Sequence, residues 1–178
     1  MCLTSFCPNA PQSPCSSALK SLLLIKNKSD DTKDKLTWKW IKGAATTVDD
    51  LKDPTTTANY ALCIYAGSTN ALVAQLDVPP SNTKWQPLGS KGFKFLDNTE
   101  ADDGAQKIKL KSGSANKSKA LVKGRGTNLP DPLDAINGGP LQPPVTTQLI
   151  NLQTGACFGS TFNTPLKNTT SFFKAKAP

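Results

Sequence analysis

Along most of this chain apolar and polar residues alternate one by one, which is the period of a strand with one buried face. In KLTWKWIKG, residues 35–43, Leu36, Trp38 and Trp40 fall on one face and Lys35, Thr37 and Lys39 on the other. KGFKFLDN (91–98), KIKLKSG (107–113) and KALVKGRG (119–126) follow the same rule, with lysine at the polar positions. NYALCIYAG (59–67) differs: Tyr60, Leu62 and Ile64 share one face, and Cys63 and Tyr65 make the other face apolar too. That pattern predicts a central strand buried on both sides. Residues 21–27, 71–78, two stretches around the 153–155 turn, and an edge at SFFKAKAP complete the set.

Turn signals separate these stretches: NKSDDTKDK, GSTN, the Pro79-Pro80 pair and SGSANKS. Residues 128–144, NLPDPLDAINGGPLQPP, read as a long proline-broken loop. No 3.6-residue apolar stripe appears, and residues 47–52 predict at most one helical turn. Eight to ten short strands at regular spacing predict an all-β fold, an antiparallel β-sandwich of Greek-key or jelly-roll type. Residues 1–18, rich in Cys, Pro and Ser without periodicity, predict a tail. Residues 19–178 then form one sandwich domain, well within the size of a single core.

Composition changes this picture mainly by exclusion. The chain has no histidine and a single glutamate, Glu100. Ser–His–Asp and Cys–His catalysis, His-containing zinc sites and a Glu–Glu glycosidase pair are therefore excluded. A non-catalytic protein is the expectation. The net charge is +8, carried by lysines and one arginine, Arg125. Nucleic-acid sites favour arginine for forked contacts, so no nucleic-acid partner is expected, and the lysines read as solvated faces and protected sheet edges. An acidic polymer or anionic surface is compatible with the charge. No apolar run reaches the roughly 18–20 residues that span a bilayer, so no membrane span is expected.

Five cysteines are present: Cys2, Cys7 and Cys15 near the N-terminus, Cys63 and Cys157 in apolar stretches far apart. None has metal-site spacing. At least one disulfide is expected, either Cys63–Cys157 or a pair within the tail, with two buried free cysteines acting as small hydrophobes as the alternative; a disulfide implies an oxidising, extracellular or cell-surface setting. MCLTSFCPNAPQSPC shows no signal-peptide pattern, so the expectation is either a mature or trimmed form with an added Met, or export that does not depend on a signal.

Two groups are candidate sites. Trp38 and Trp40, two residues apart on a strand, set their rings about 7 Å apart, either inside the core or as a sugar-stacking platform. The continuous Leu36–Trp38–Trp40 stripe opposite a wet face favours the core. Trp85, in the loop SNTKWQPLG, is the better candidate for an exposed aromatic, with a plug at the end of the sandwich as the equal alternative. The acidic turn DNTEADDG offers Asp97, Glu100, Asp102 and Asp103 as oxygen ligands for calcium, although the spacing is not that of an EF-hand. A solvated turn is the simpler expectation, and no other cofactor is expected.

The succession KLTWKWIKG, DP…NYALCIY, KGFKF, DGAQKIKLKSG, KALVKGRGTNLP and PVTTQLIN…GACF…FKAK resembles a recurrent β-rich domain of secreted bacterial proteins with no assigned activity. The resemblance spans about residues 19–178 and implies secretion and a β fold. It brings no catalytic residue. Together these features lead to the expectation of an extracellular structural or self-associating module. Its partners would be copies of itself or another surface protein, met through residues 1–18 or the final SFFKAKAP. A carbohydrate-binding module using Trp85, Trp38 or Trp40 is the alternative, with a polysaccharide as partner.

Overall fold

The computed structural model describes residues 6–133 and 140–178. Its strands, in chain order, are β1 (Ala18–Lys26), β2 (Lys35–Gly43), β3 (Tyr60–Ala66), β4 (Ala71–Val78), β5 (Trp85–Pro87), β6 (Gly92–Leu96), β7 (Ala105–Lys111), β8 (Ser118–Arg125), β9 (Val145–Asn151), β10 (Cys157–Phe162), β11 (Lys167–Thr169) and β12 (Phe172–Ala177). One helical turn, α1 (Val48–Leu51), is held by a capping box between Thr47 and Asp50. The strands build two antiparallel sheets, ordered β11-β12-β1-β2-β8-β7-β6-β5 and β10-β9-β3-β4. The sandwich is therefore as the alternation predicts, with eight strands facing four. Of the strands beyond the expected count, β5 and β11 are three residues long, too short to show a period.

Between the sheets lies one continuous core. The large sheet contributes Leu23, Ile25, Leu36, Trp38, Trp40, Ile108, Leu110, Val122, Phe95 and Phe173; the small sheet contributes Tyr60, Leu62, Ile64, Leu76, Leu149, Phe158 and Phe162. Each of these side chains stabilises by roughly 1.5–3 kcal/mol when fully buried. A bulge in β2 between Ile41 and Gly43, with Lys42 at φ 57°, brings Gly43 against the Trp40 ring. A Cβ at Gly43 would stand 1.9 Å from that ring, so only glycine fits beneath it.

The two central strands of the small sheet are buried on both faces because a third layer covers their outside. β3 and β9 are buried at every residue. Over Ala61, Cys63, Tyr65 and Ile150 runs the N-terminal segment, fixed by two disulfides, Cys7–Cys63 and Cys15–Cys157. Between the bridges Gln12 and Gln148 bond reciprocally, Gln12 N–H to Oε1 at 2.8 Å and Gln148 Nε2–H to the Gln12 carbonyl at 2.9 Å. The Tyr65 hydroxyl donates to the Pro8 carbonyl at 2.9 Å; burial pushes its pKa up to about 12. Gly159 leaves the second bridge its space, since a Cβ there would lie 2.8 Å from Cys15 Sγ.

The expected Cys63–Cys157 and tail-internal pairings are thus replaced by two bridges that each join the N-terminal segment to the sheet. Cys63, on the outer face of β3, pairs with Cys7, and Cys157 on β10 pairs with Cys15. Cys2 lies outside the described residues. Beyond Cys15 the chain pairs with the edge of β10, Ser16 N–H donating to the Cys157 carbonyl at 2.8 Å and Gly159 N–H to the Ser16 carbonyl at 2.8 Å. It then enters β1 in the large sheet, so residues 15–18 tie the two sheets together along one side. SFFKAKAP is equally engaged: β12 pairs with β1 on one side and β11 on the other.

Candidate functional site

All three tryptophans lie inside the sandwich. Trp38 and Trp40 are 0% and 1% exposed, and Trp85, the better candidate for exposure, is 1% exposed. Trp38 Nε1 donates to Ser160 Oγ at 3.3 Å, and that hydroxyl donates to Ser21 Oγ at 2.7 Å. Trp40 Nε1 reaches the Gly159 carbonyl at 3.2 Å, and its ring meets Phe158 edge-on, centroids 5.3 Å apart. Trp85 bonds the Pro79 carbonyl at 3.3 Å and packs between Phe95 and Tyr60, at 5.2 and 5.8 Å. Each indole N–H is satisfied within the core. No ring face is left for a sugar to stack on, which removes the tryptophans as a ligand platform. Of the two readings of Trp85, the short β5 realises the plug: it folds the ring inward at one end of the core.

The acidic turn is a structural clasp. Asp97 Oδ1 accepts from Thr99 N–H at 2.8 Å and from its hydroxyl at 2.6 Å; Oδ2 accepts from Ala101 N–H at 3.2 Å. Lys84 sits between Asp97 and Asp102, at 3.0 and 2.6 Å. Glu100 pairs with Arg125 Nε at 2.8 Å, and Asp103 accepts the Asp77 N–H at 2.8 Å. The four carboxylates offered for calcium are therefore committed within the chain: Asp97 and Asp102 to Lys84, Glu100 to Arg125 and Asp103 to the Asp77 backbone. Burial of Asp97 works against ionisation, but the bonds from Thr99, Lys84 and Ala101 outweigh it and hold its carboxyl well below the usual range. Burial likewise pulls Lys84 down, and its two carboxylate partners more than reverse this. The turn pins the β6–β7 connection to β4, to β8 and to the loop before β5.

The feature that stands out is the outer face of the large sheet. Its strands hold 15 of the 21 Lys and Arg residues and no Asp or Glu, while β3, β4, β9 and β10 hold no Lys or Arg and one acid, Asp77. Alternation turns the apolar half inward and the lysines outward on β2, β7 and β8 alike. The registers set like charges directly opposite: Lys26–Lys35, Lys35–Arg125, Lys94–Lys109, Lys107–Lys123, Lys111–Lys119 and Lys167–Lys174. Opposed like charges destabilise a sheet, so stability alone does not favour this arrangement. Among the described residues, Arg125 is the one cation of these strands that forms an ion pair. Leu22, Leu24, Ile41 and Leu121 lie half-buried between the lysines.

The alternating lysines of each strand are visible in the sequence, yet they read as scattered solvated positions. Only the strand order gathers them on one face. Comparison of the chain with protein-family models, with curated proteins and with solved structures finds no match.

Proposed function

We propose that this chain is a non-catalytic structural module of an extracellular surface or assembly, working by the surface it presents. The observation that supports this best is the fastening of the N-terminal segment by two disulfides across the small sheet. Disulfides persist in oxidising compartments, and these two stiffen a sandwich whose buried polar groups serve packing. Tyr60 and Asn151, for example, both bond the Leu51 carbonyl, at 2.6 and 3.0 Å. The absence of histidine from the sequence points the same way. Exchange of the tail or of the last strand between copies is not favoured, because both are already engaged within the chain. With the middle of the small sheet covered, the lysine face of the large sheet is the broadest surface offered for contact.

Fractionation of producing cells, with thiols alkylated before lysis, tests the proposal. The chain is expected in the medium or on the cell surface with Cys7, Cys15, Cys63 and Cys157 protected. Recovery in the cytosol with those thiols alkylated would overturn it.

A further inference from the structure

We infer that the outer face of the large sheet is a docking surface for a linear acidic polysaccharide. Its cations stand in rows that run across the strands. One row follows the pairing Lys176–Leu22–Lys39–Leu121–Lys109–Lys94, through β12, β1, β2, β8, β7 and β6. With strands about 4.8 Å apart the row is about 24 Å long, with its cations spaced one or two strands apart. A polymer carrying regular carboxylates or sulfates that lies across the strands meets a lysine at each such step. The half-buried Leu22 and Leu121 provide an aliphatic floor for the carbon faces of the sugar rings.

Three observations favour this partner over other polyanions. The cations are lysines apart from Arg125, point charges without the forked geometry that reads phosphate and base edges. Aromatic platforms for stacking nucleobases are missing from the face: the tryptophans are inside, and the Phe172 ring is covered by the Lys26 and Lys167 ammonium groups at 5.4 and 5.0 Å. An eight-stranded sheet also twists from strand to strand, so a flat bilayer touches part of the array, whereas a flexible chain follows it. The same repulsion that leaves the face unpaired disfavours contact between two copies of it.

The polymer is met outside the cell only if the proposed function holds, but binding is measured on the purified full chain, so either can fail alone. Alginate oligomers and dextran sulfate are the probes, titrated calorimetrically at about 50 and 200 mM salt, with neutral dextran, duplex DNA and phosphatidylglycerol vesicles beside them. Binding to at least one acidic polysaccharide is expected, weakening at least about tenfold between the two salt levels. The triple variant Lys39→Gln/Lys94→Gln/Lys109→Gln should keep its thermal midpoint and lose at least about tenfold in affinity. Lys28→Gln/Lys33→Gln/Lys52→Gln removes the same charge from outside the sheet and should change affinity less than about twofold. No binding to either acidic polysaccharide, equal losses in both variants, or DNA or vesicles binding as tightly would each overturn the assignment.

Discussion

Replacing the Cys15–Cys157 bridge by a pair of alanines, Cys15→Ala/Cys157→Ala, removes a cross-link that closes 142 residues of chain. In the chain-entropy treatment of the unfolded state, a loop of that length contributes about 5 kcal/mol at 25 °C. Cys7→Ala/Cys63→Ala opens a loop of 56 residues, worth about 4 kcal/mol by the same relation. Alanine is chosen because Cys63 and Cys157 are buried, and a serine hydroxyl there would add an unsatisfied polar group. Urea unfolding of the oxidised chain and of both variants measures the losses directly. The thermal midpoint should fall by about 10–20 °C for the longer loop and about 8–16 °C for the shorter, at roughly 2–4 °C per kcal/mol for a domain of this size. The order is the decisive part, with the longer loop costing about 0.8 kcal/mol more. A Cys7/Cys63 variant that loses more stability than the Cys15/Cys157 variant would refute the reasoning, as would losses below about 1 kcal/mol in both.

Two further outcomes follow from the packing and the acidic clasp. Trp85→Ala empties the space between Tyr60 and Phe95 and should cost about 3–5 kcal/mol in chemical denaturation; unchanged stability would show that the ring is not part of the core. Asp97 has a folded-state pKa below its unfolded value near 3.9, so its contribution is present above about pH 4 and is lost as the pH falls from there toward the folded value. Asp97→Asn should therefore cost about 1–3 kcal/mol at pH 7 and flatten the decline of stability below pH 4. An unchanged acid profile would show that Asp97 is not the clasp.

How much of this is legible in the sequence depends on whether the signal is local. The stripe Leu36–Trp38–Trp40 opposite Lys35, Thr37 and Lys39 carries its own answer, and both tryptophans lie in the core. The doubly apolar faces of β3 likewise announce a central strand, although what covers Cys63 and Tyr65 is the N-terminal segment, with Cys7 56 residues upstream of Cys63. Cysteine pairing fails to read out because it is fixed by where that segment crosses the sheet. Trp85 stays open between exposure and an end plug because a three-residue strand shows no period. The acidic turn shows its carboxylates in the sequence but not their partners, because Lys84, Arg125 and the β4 backbone come from other parts of the chain. The lysine face is the most instructive case: its parts lie in KLTWKWIKG, KGFKF, KIKLK, KALVKGR and FKAKA, but their union is a property of strand order, which no local pattern encodes.

The covered middle of the small sheet and the free lysine face both depend on how the N-terminal segment is fastened. A peptide map of the native, unreduced chain, with free thiols blocked before digestion, examines this most directly. Peptides joining Cys7 to Cys63 and Cys15 to Cys157 should be found. A Cys63–Cys157 peptide, or a bridge joining Cys7 to Cys15, would contradict it and release the segment from the sheet.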